Sequence, residues 1–207
     1  MSKMQKALMV GVWALLVLAM VGVVATRATR PQPQHATAPA APLFAAPSFQ
    51  LVDQNGQPFG SDDLRGKVWI ADFIFTHCAG PCPIMTSRMA DVQRALTSSD
   101  VKLVSFSVDP ERDTPQVLKE YSNRFNADDS RWQFLTGTKQ ELSDVAKGMN
   151  IAAKDDADAG IIHSTLFLLI DRNGQVVRLY HSEDEQEMKR LAADADQLAE
   201  ISAGQGR

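Results

Sequence analysis

The chain has 207 residues, enough for one ordinary domain with extensions, and its 44% hydrophobic and 22% charged residues are those of a globular protein. A net charge of −4, with no block of Lys or Arg, argues against a nucleic-acid surface. Only two cysteines occur, Cys78 and Cys82.

The first segment is membrane-directed. Ala7 to Ala25 is a run of nineteen uncharged residues, with Lys3 and Lys6 before it and Arg27 and Arg30 after it. Secretory signals have apolar cores of about 7–15 residues and spanning helices need about 20. The run is nearer the second, so residues 1–25 read as an uncleaved N-terminal transmembrane anchor, although Val23-Val24-Ala25 also fits a cleavage site. Either reading exports the rest of the chain, and an exported cysteine pair can be oxidised. Residues 26–47 carry Pro31, Pro33, Pro39, Pro42 and Pro47 among alanines without apolar periodicity. This predicts an extended, semi-rigid tether; His35 stands alone within it.

The folded domain is expected over 48–207. Phe49 to Val52 and Gln57 to Phe59 flank Asn55-Gly56, a hairpin signal. A short turn over Ser61 to Gly66 leads into a central strand, Lys67 to Phe75. The chain then breaks at Ala79-Gly80-Pro81. Pro83 suits the first position of a helix, which makes Cys82 its N-cap and puts Met85, Met89, Val92 and Leu96 on one face. Val101 to Val108 is a strand, and Thr114-Pro115 starts a helix through Val117, Leu118, Tyr121 and Phe125. Trp132 to Leu135 is a short strand. Thr138 and Glu141 form a capping box for a helix bearing Leu142, Val145 and Met149. Asp155 to Gly160 is a polar, flexible loop. Ser164 to Asp171 and Gln175 to Tyr180 flank Asn173-Gly174, and Ser182 and Glu185 cap a last helix bearing Met188, Leu191, Ala195 and Leu198. This order gives an α/β sandwich with a central mixed sheet and flanking helices.

Both cysteines therefore lie at the carboxyl end of a central strand, where open α/β sheets build their sites. Unpaired N–H groups at a helix start favour a nearby thiolate. Helical i,i+4 residues have β-carbons about 5–6 Å apart, whereas a disulfide needs about 3.5–4.5 Å. The Gly-Pro loop leaves both a thiol pair and a metal clamp open. His163, between the flexible loop and a buried strand, can join them, since imidazole is a common metal ligand. His77 should point away from Cys78 by strand alternation and is read as structural. His181 reads as surface. The helical spacing of Met85 and Met89 says core, and Asp109 is either a tuning charge or a turn residue. Two thiolates and one imidazole make a soft, partly open site, which favours copper over a zinc site lacking a fourth ligand.

DFIFTHCAGPCPIMT, VSFSVDPERDTPQVLKEY, WQFLTG and HSTLFLLIDRNG resemble, in order, segments of the Sco/SenC copper chaperones, over roughly Phe49 to Tyr180. The resemblance implies a thioredoxin-like fold and a site for Cu(I) or Cu(II) formed by Cys78, Cys82 and His163, with a Cys78–Cys82 disulfide in the oxidised form. It also implies a metallochaperone rather than an enzyme. Such a protein delivers copper to the binuclear copper centre of cytochrome c oxidase, reduces that target's cysteines, or does both. The expected partners are a copper-receiving oxidase subunit or another copper chaperone. The expected location is the periplasmic face of the inner membrane. Many members have Pro-Asp-x between the cysteines; Ala79-Gly80-Pro81 removes that carboxylate and keeps the ligands. The alternative is a thiol–disulfide oxidoreductase or thiol peroxidase, for which the redox pair would be the same two cysteines. The usual redox motif has two intervening residues, so the spacing here favours the chaperone.

Overall fold

A computed structural model describes residues 41–151 and 164–204. The expected anchor at Ala7 to Ala25, His35, most of the tether, the Asp155 to Gly160 loop and His163 lie outside these residues. All those described belong to a unit spanning Pro39–Arg207. Among them no helix is long and apolar enough to cross a membrane.

The sheet starts earlier than the expected boundary at Ser48. Phe44–Ala45 forms β1, whose residues pair with Val176 and Gln175. The cause is local: Leu43 and Ala46 donate to the carbonyls of Val176 and Gly174, both at 2.8 Å. A proline-rich composition does not reveal such edge pairing, because Phe44 supplies only one apolar side chain to it.

β2 (Gln50–Val52) and β3 (Pro58–Gly60) form the expected antiparallel hairpin as a separate two-stranded sheet. The Asp53 carboxylate accepts from the Asn55 and Gln57 N–H groups, each at 2.8 Å, and Gly56 takes φ +74° in the turn. A 3-10 turn at Ser61–Leu64 leads into β4 (Val68–Ile74), all seven of whose residues are buried. A strand covered on both faces requires such a near-continuous apolar run. Next come α1 (Pro81–Ala95), β5 (Val101–Ser107), α2 (Pro115–Arg124), β6 (Trp132–Leu135) and α3 (Lys139–Gly148). After the segment that is not described come β7 (Leu166–Ile170), β8 (Gln175–His181) and α4 (Glu185–Gly204).

Thr114 caps α2, and the Thr138–Glu141 box caps α3 as the sequence predicts. The cap of α4 is different. Asp184 accepts from the Gln186 and Glu187 N–H groups at 2.8 and 3.1 Å, whereas Ser182 is buried and its N–H donates to the Thr165 carbonyl. Asp184 immediately precedes the helix, so its short carboxylate is the one within reach.

The six-stranded sheet runs β1-β8-β7-β4-β5-β6. β4, β5 and β6 are parallel, while β7 and β8 join antiparallel, giving the mixed sheet expected. Val68, Ile70 and Ile74 pack with residues of α1, α2 and α4, including Met85, Met89, Leu118 and Leu191. Trp69, Ala71 and Phe73 pack on the opposite face with Leu142 and Val145 of α3, Met149 just after it and Leu51 of the hairpin. Strand alternation thus divides β4 between two cores. The parallel register sets Ile74 beside Ser107, so the loops carrying Cys78 and Asp113 emerge side by side.

Candidate metal and redox centre

β4 does not run straight into the cysteine loop. Thr76 and His77 occupy a turn closed by the Cys78 N–H, which donates to the Phe75 carbonyl at 3.3 Å. Strand alternation therefore stops before His77. His77 is exposed while Cys78 is turned inward, 9% exposed.

The helix also begins earlier than expected. Pro81 is its first residue and Gly80 its N-cap, so Cys82 is the second helical residue and not the cap. The first turn of a helix has no intrahelical acceptors for its N–H groups, so prolines at both Pro81 and Pro83 cost no hydrogen bond there. Cys82 is 4% exposed.

The sulfur that gains from the helix start is that of Cys78. The Gly80 N–H donates to it at 3.3 Å. Burial opposes ionisation of Cys78, but hydrogen bonds from the Cys82 N–H, the Cys82 thiol and the Gly80 N–H outweigh it and hold this thiol below the ordinary range. Cys82 goes the other way. Its burial pushes its pKa up, and the neighbouring Cys78 and Asp72 charges add to that. Both thiols are buried, and their surroundings push them in opposite directions, Cys78 toward ionisation and Cys82 away from it. Both are free.

Three further groups surround the pair, none of which spacing alone suggests. The buried Thr86 hydroxyl donates to the Cys82 carbonyl at 2.9 Å and meets the Tyr121 hydroxyl at 2.9 Å, joining α1 to α2. Asp72 is fully buried on the β4 face that looks toward α1, and neither of its carboxyl oxygens has a hydrogen-bond partner of normal geometry. Burial pushes its pKa up to about 7. The adjacent Ser105 hydroxyl, which also accepts the Trp132 indole N–H at 2.9 Å, offsets this burial only partly. A lone carboxylate within VWIADFI is a signal that could have singled Asp72 out.

Asp113 is fully buried and ties the cysteine loop to the loop after β5. It accepts from the Thr76 N–H at 3.1 Å, the Thr76 hydroxyl at 2.5 Å and the Ser107 hydroxyl at 2.7 Å. Of the two aspartates in DPERDTP, the sequence draws attention to Asp109. In the structure Asp109 is the turn residue: its carbonyl accepts from the Arg112 and Asp113 N–H groups. Met85 and Met89 are core, at 1% and 0% exposure, and His181 is exposed with its Nδ1 3.2 Å from Glu187.

Among the described residues no group of three His, Cys, Asp or Glu side chains is arranged to hold a metal ion. The two thiols in mutual hydrogen-bond reach are nevertheless a donor set for a soft cation, since thiolates select Cu(I) over hard ions. The same pair, one thiol eased toward ionisation and the other pushed away from it, is equipped for thiol–disulfide exchange.

The comparisons with known proteins agree with this chemistry. A SCO1/SenC family model matches residues 37–200. The crystal structure of a SCO1/SenC family lipoprotein from Bacillus anthracis str. Ames is 38% identical, with a TM-score of 0.71, and covers 78% of this chain and 99% of its own. BsSco, described with a disulfide switch and as a member of the Sco family of cytochrome c oxidase assembly proteins, is 32% identical with a TM-score of 0.68, covering 78% and 98%. Copper-bound ScoI from Bradyrhizobium japonicum is 31% identical with a TM-score of 0.62, covering 74% and 99%. The thioredoxin-like α/β architecture expected from the sequence is the one observed, and the chain belongs to the SCO1/SenC family.

Proposed function

We propose that this protein is a membrane-tethered copper metallochaperone that serves assembly of a respiratory oxidase. The observation that carries the reading is the Cys78–Cys82 pair, mutually hydrogen-bonded at a helix start, in a chain matched by the SCO1/SenC model from residue 37 to 200. Copper is the cargo. Cys78, Cys82 and His163 are its ligands: the two thiolates suffice for Cu(I), and the imidazole completes a site for Cu(II). The Cu-bound ScoI and the disulfide switch of BsSco support this assignment and the Cys78–Cys82 disulfide of the oxidised form. The recipient is the copper-receiving subunit of a cytochrome c oxidase or a further copper chaperone.

Residues 1–25 form the anchor and the chain up to β1 forms the tether, which leaves the copper-binding domain on the periplasmic face of the inner membrane. The lipoprotein character of the Bacillus anthracis relative is in keeping with a tether. Carbonate extraction of membranes should leave the protein in the pellet; a soluble form starting at Thr26 would contradict the anchor.

A second reading, reduction of a target's cysteines, is favoured by the unequal thiols. Cys78, held below the ordinary thiol range, is the attacking sulfur, and buried Cys82 resolves the mixed disulfide. In the balance, the target's disulfide becomes two thiols and this pair becomes a disulfide. Both roles use the same two sulfurs.

The ligand set is tested with His163→Ala. Cu(II) affinity should fall by at least about 10–100-fold, the range seen when even a supporting group is disturbed, while Cu(I) affinity changes far less. Equal weakening of both oxidation states, or of neither, would remove His163 from the site.

A further inference from the structure

The two sulfurs of the pair are held from different sides. Cys82 belongs to the first turn of α1, where its carbonyl accepts from the Thr86 hydroxyl at 2.9 Å. Cys78 hangs from the end of β4, and only the exposed Ala79 and Gly80 separate it from Pro81, the first residue of α1. Whatever fixes the turn after β4 therefore sets where Cys78 stands relative to Cys82.

That turn is fixed by Asp113. The β4–β5 ladder closes with the Val108 N–H donating to the Ile74 carbonyl at 2.9 Å. Beyond this rung Thr76 gives both its N–H and its hydroxyl to the Asp113 carboxylate, at 3.1 and 2.5 Å. The Ser107 hydroxyl donates to the same carboxylate at 2.7 Å, and the Asp113 N–H donates to the Asp109 carbonyl at 2.9 Å. Asp113 is completely buried and directly precedes Thr114, the cap of α2, so it is anchored on its own side. Breaking such a bond leaves a buried donor or acceptor unpaired, which is costly. From the pinned Thr76 the turn closes, with the Cys78 N–H donating to the Phe75 carbonyl and the Gly80 N–H to the Cys78 sulfur, both at 3.3 Å.

We propose that Asp113 is a positioning residue for the thiol pair: by clamping Thr76 it holds Cys78 at the place from which its sulfur closes on that of Cys82. The inference rests on the reading of Cys78 and Cys82 as the working pair. In the exchange an incoming disulfide takes up the two thiol hydrogens and leaves as two thiols, while the Cys78–Cys82 bond forms. Asp113 gives and takes no atom; it acts only through Thr76. Loosening Thr76 lowers the effective concentration of one sulfur at the other, and so weakens the closed form.

The test is the equilibrium of the copper-free full chain, in detergent, with glutathione and glutathione disulfide, read by mass spectrometry. Thr76→Val removes the hydroxyl and keeps the N–H bond to Asp113, at a position that is only half-buried. Melting curves establish that each variant is folded. The Cys78–Cys82 disulfide should become less favoured in T76V by about tenfold, about 30 mV for a two-electron couple. Thr76→Ser restores the hydroxyl and should return the equilibrium to the wild-type value. Asp113→Asn puts an amide NH2 where one accepting oxygen stood; it should shift the equilibrium in the same direction and serves alone should T76V not fold. A folded T76V or D113N with the wild-type equilibrium, or a T76S that behaves as T76V, would overturn the proposal. So would a lowered melting temperature with no shift in the equilibrium, since that is the mark of a merely structural role. A wild-type chain that forms no Cys78–Cys82 disulfide at any glutathione ratio would overturn the reading of the pair as well.

Discussion

The face of the sheet that meets α3 and the β2–β3 hairpin is apolar, with Trp69, Ala71 and Phe73 of β4 and Val104 and Phe106 of β5. The face beneath α1 and α2 draws on the alternate residues of the same two strands and includes Asp72, Ser105 and Ser107, all buried. On the first face Phe73 and Phe106 stack with ring centroids 5.1 Å apart, and Phe49 meets Phe106 edge-on at 5.1 Å. On the second, polar groups are tolerated because most find partners. Ser105 holds the Trp132 indole, Ser107 holds Asp113, and Thr86 holds Tyr121. Burying a polar group without a hydrogen bond is costly, so the second face is bound to be less stable per buried side chain. The difference separates two tasks. One face supplies stability, and the other gives up some of it to place two thiols and their electrostatic surroundings.

The largest expected effect comes from cutting the apolar face. Phe106 is fully buried between the other aromatic rings, and Phe106→Ala should cost about 3–5 kcal/mol in urea unfolding. The copper spectrum of the molecules that remain folded should be unchanged. A variant that keeps its stability but loses the spectrum would merge the two tasks.

The next effect is on the polar face and depends on pH. Asp72 has its folded pKa raised from 3.8 to about 7 by burial. Below pH 4 the carboxyl is neutral in both states and contributes no penalty. Between 4 and 7 the unfolded chain loses the proton while the folded one keeps it, so stability falls as pH rises, and the loss is complete above 7. Asp72→Asn is neutral throughout. It should therefore be more stable than the wild type by on the order of 2–4 kcal/mol at pH 8, with the advantage gone by about pH 4. A difference that does not change with pH would mean that Asp72 is ionised in the folded protein.

The two faces were not equally legible in the sequence. The near-continuous apolar run within Lys67 to Phe75 and the i,i+4 spacing of Met85 and Met89 are enough to find the cores, because burial writes itself into the apolar pattern. Cys78 and Cys82 were visible for the opposite reason, since two soft donors in one loop break that pattern. The setting of the pair was not visible. Which sulfur receives the helix N–H groups depends on whether the helix starts at Pro81 or Pro83, a two-residue difference that two acceptable prolines leave open. Asp113 and Thr76 are 37 residues apart and meet only because β4 and β5 are parallel and in register. The short β1 was missed because its pairing is by backbone groups, which leave almost no trace in composition.

The central claim is that copper is held by Cys78, Cys82 and His163, and copper titration of the reduced full chain tests it most directly. The account predicts one copper per chain, with a Cu(II) form showing a sulfur-to-copper charge-transfer band that is absent from the double Cys78→Ser, Cys82→Ser variant. A double variant that binds copper with the affinity and spectrum of the wild type would contradict it.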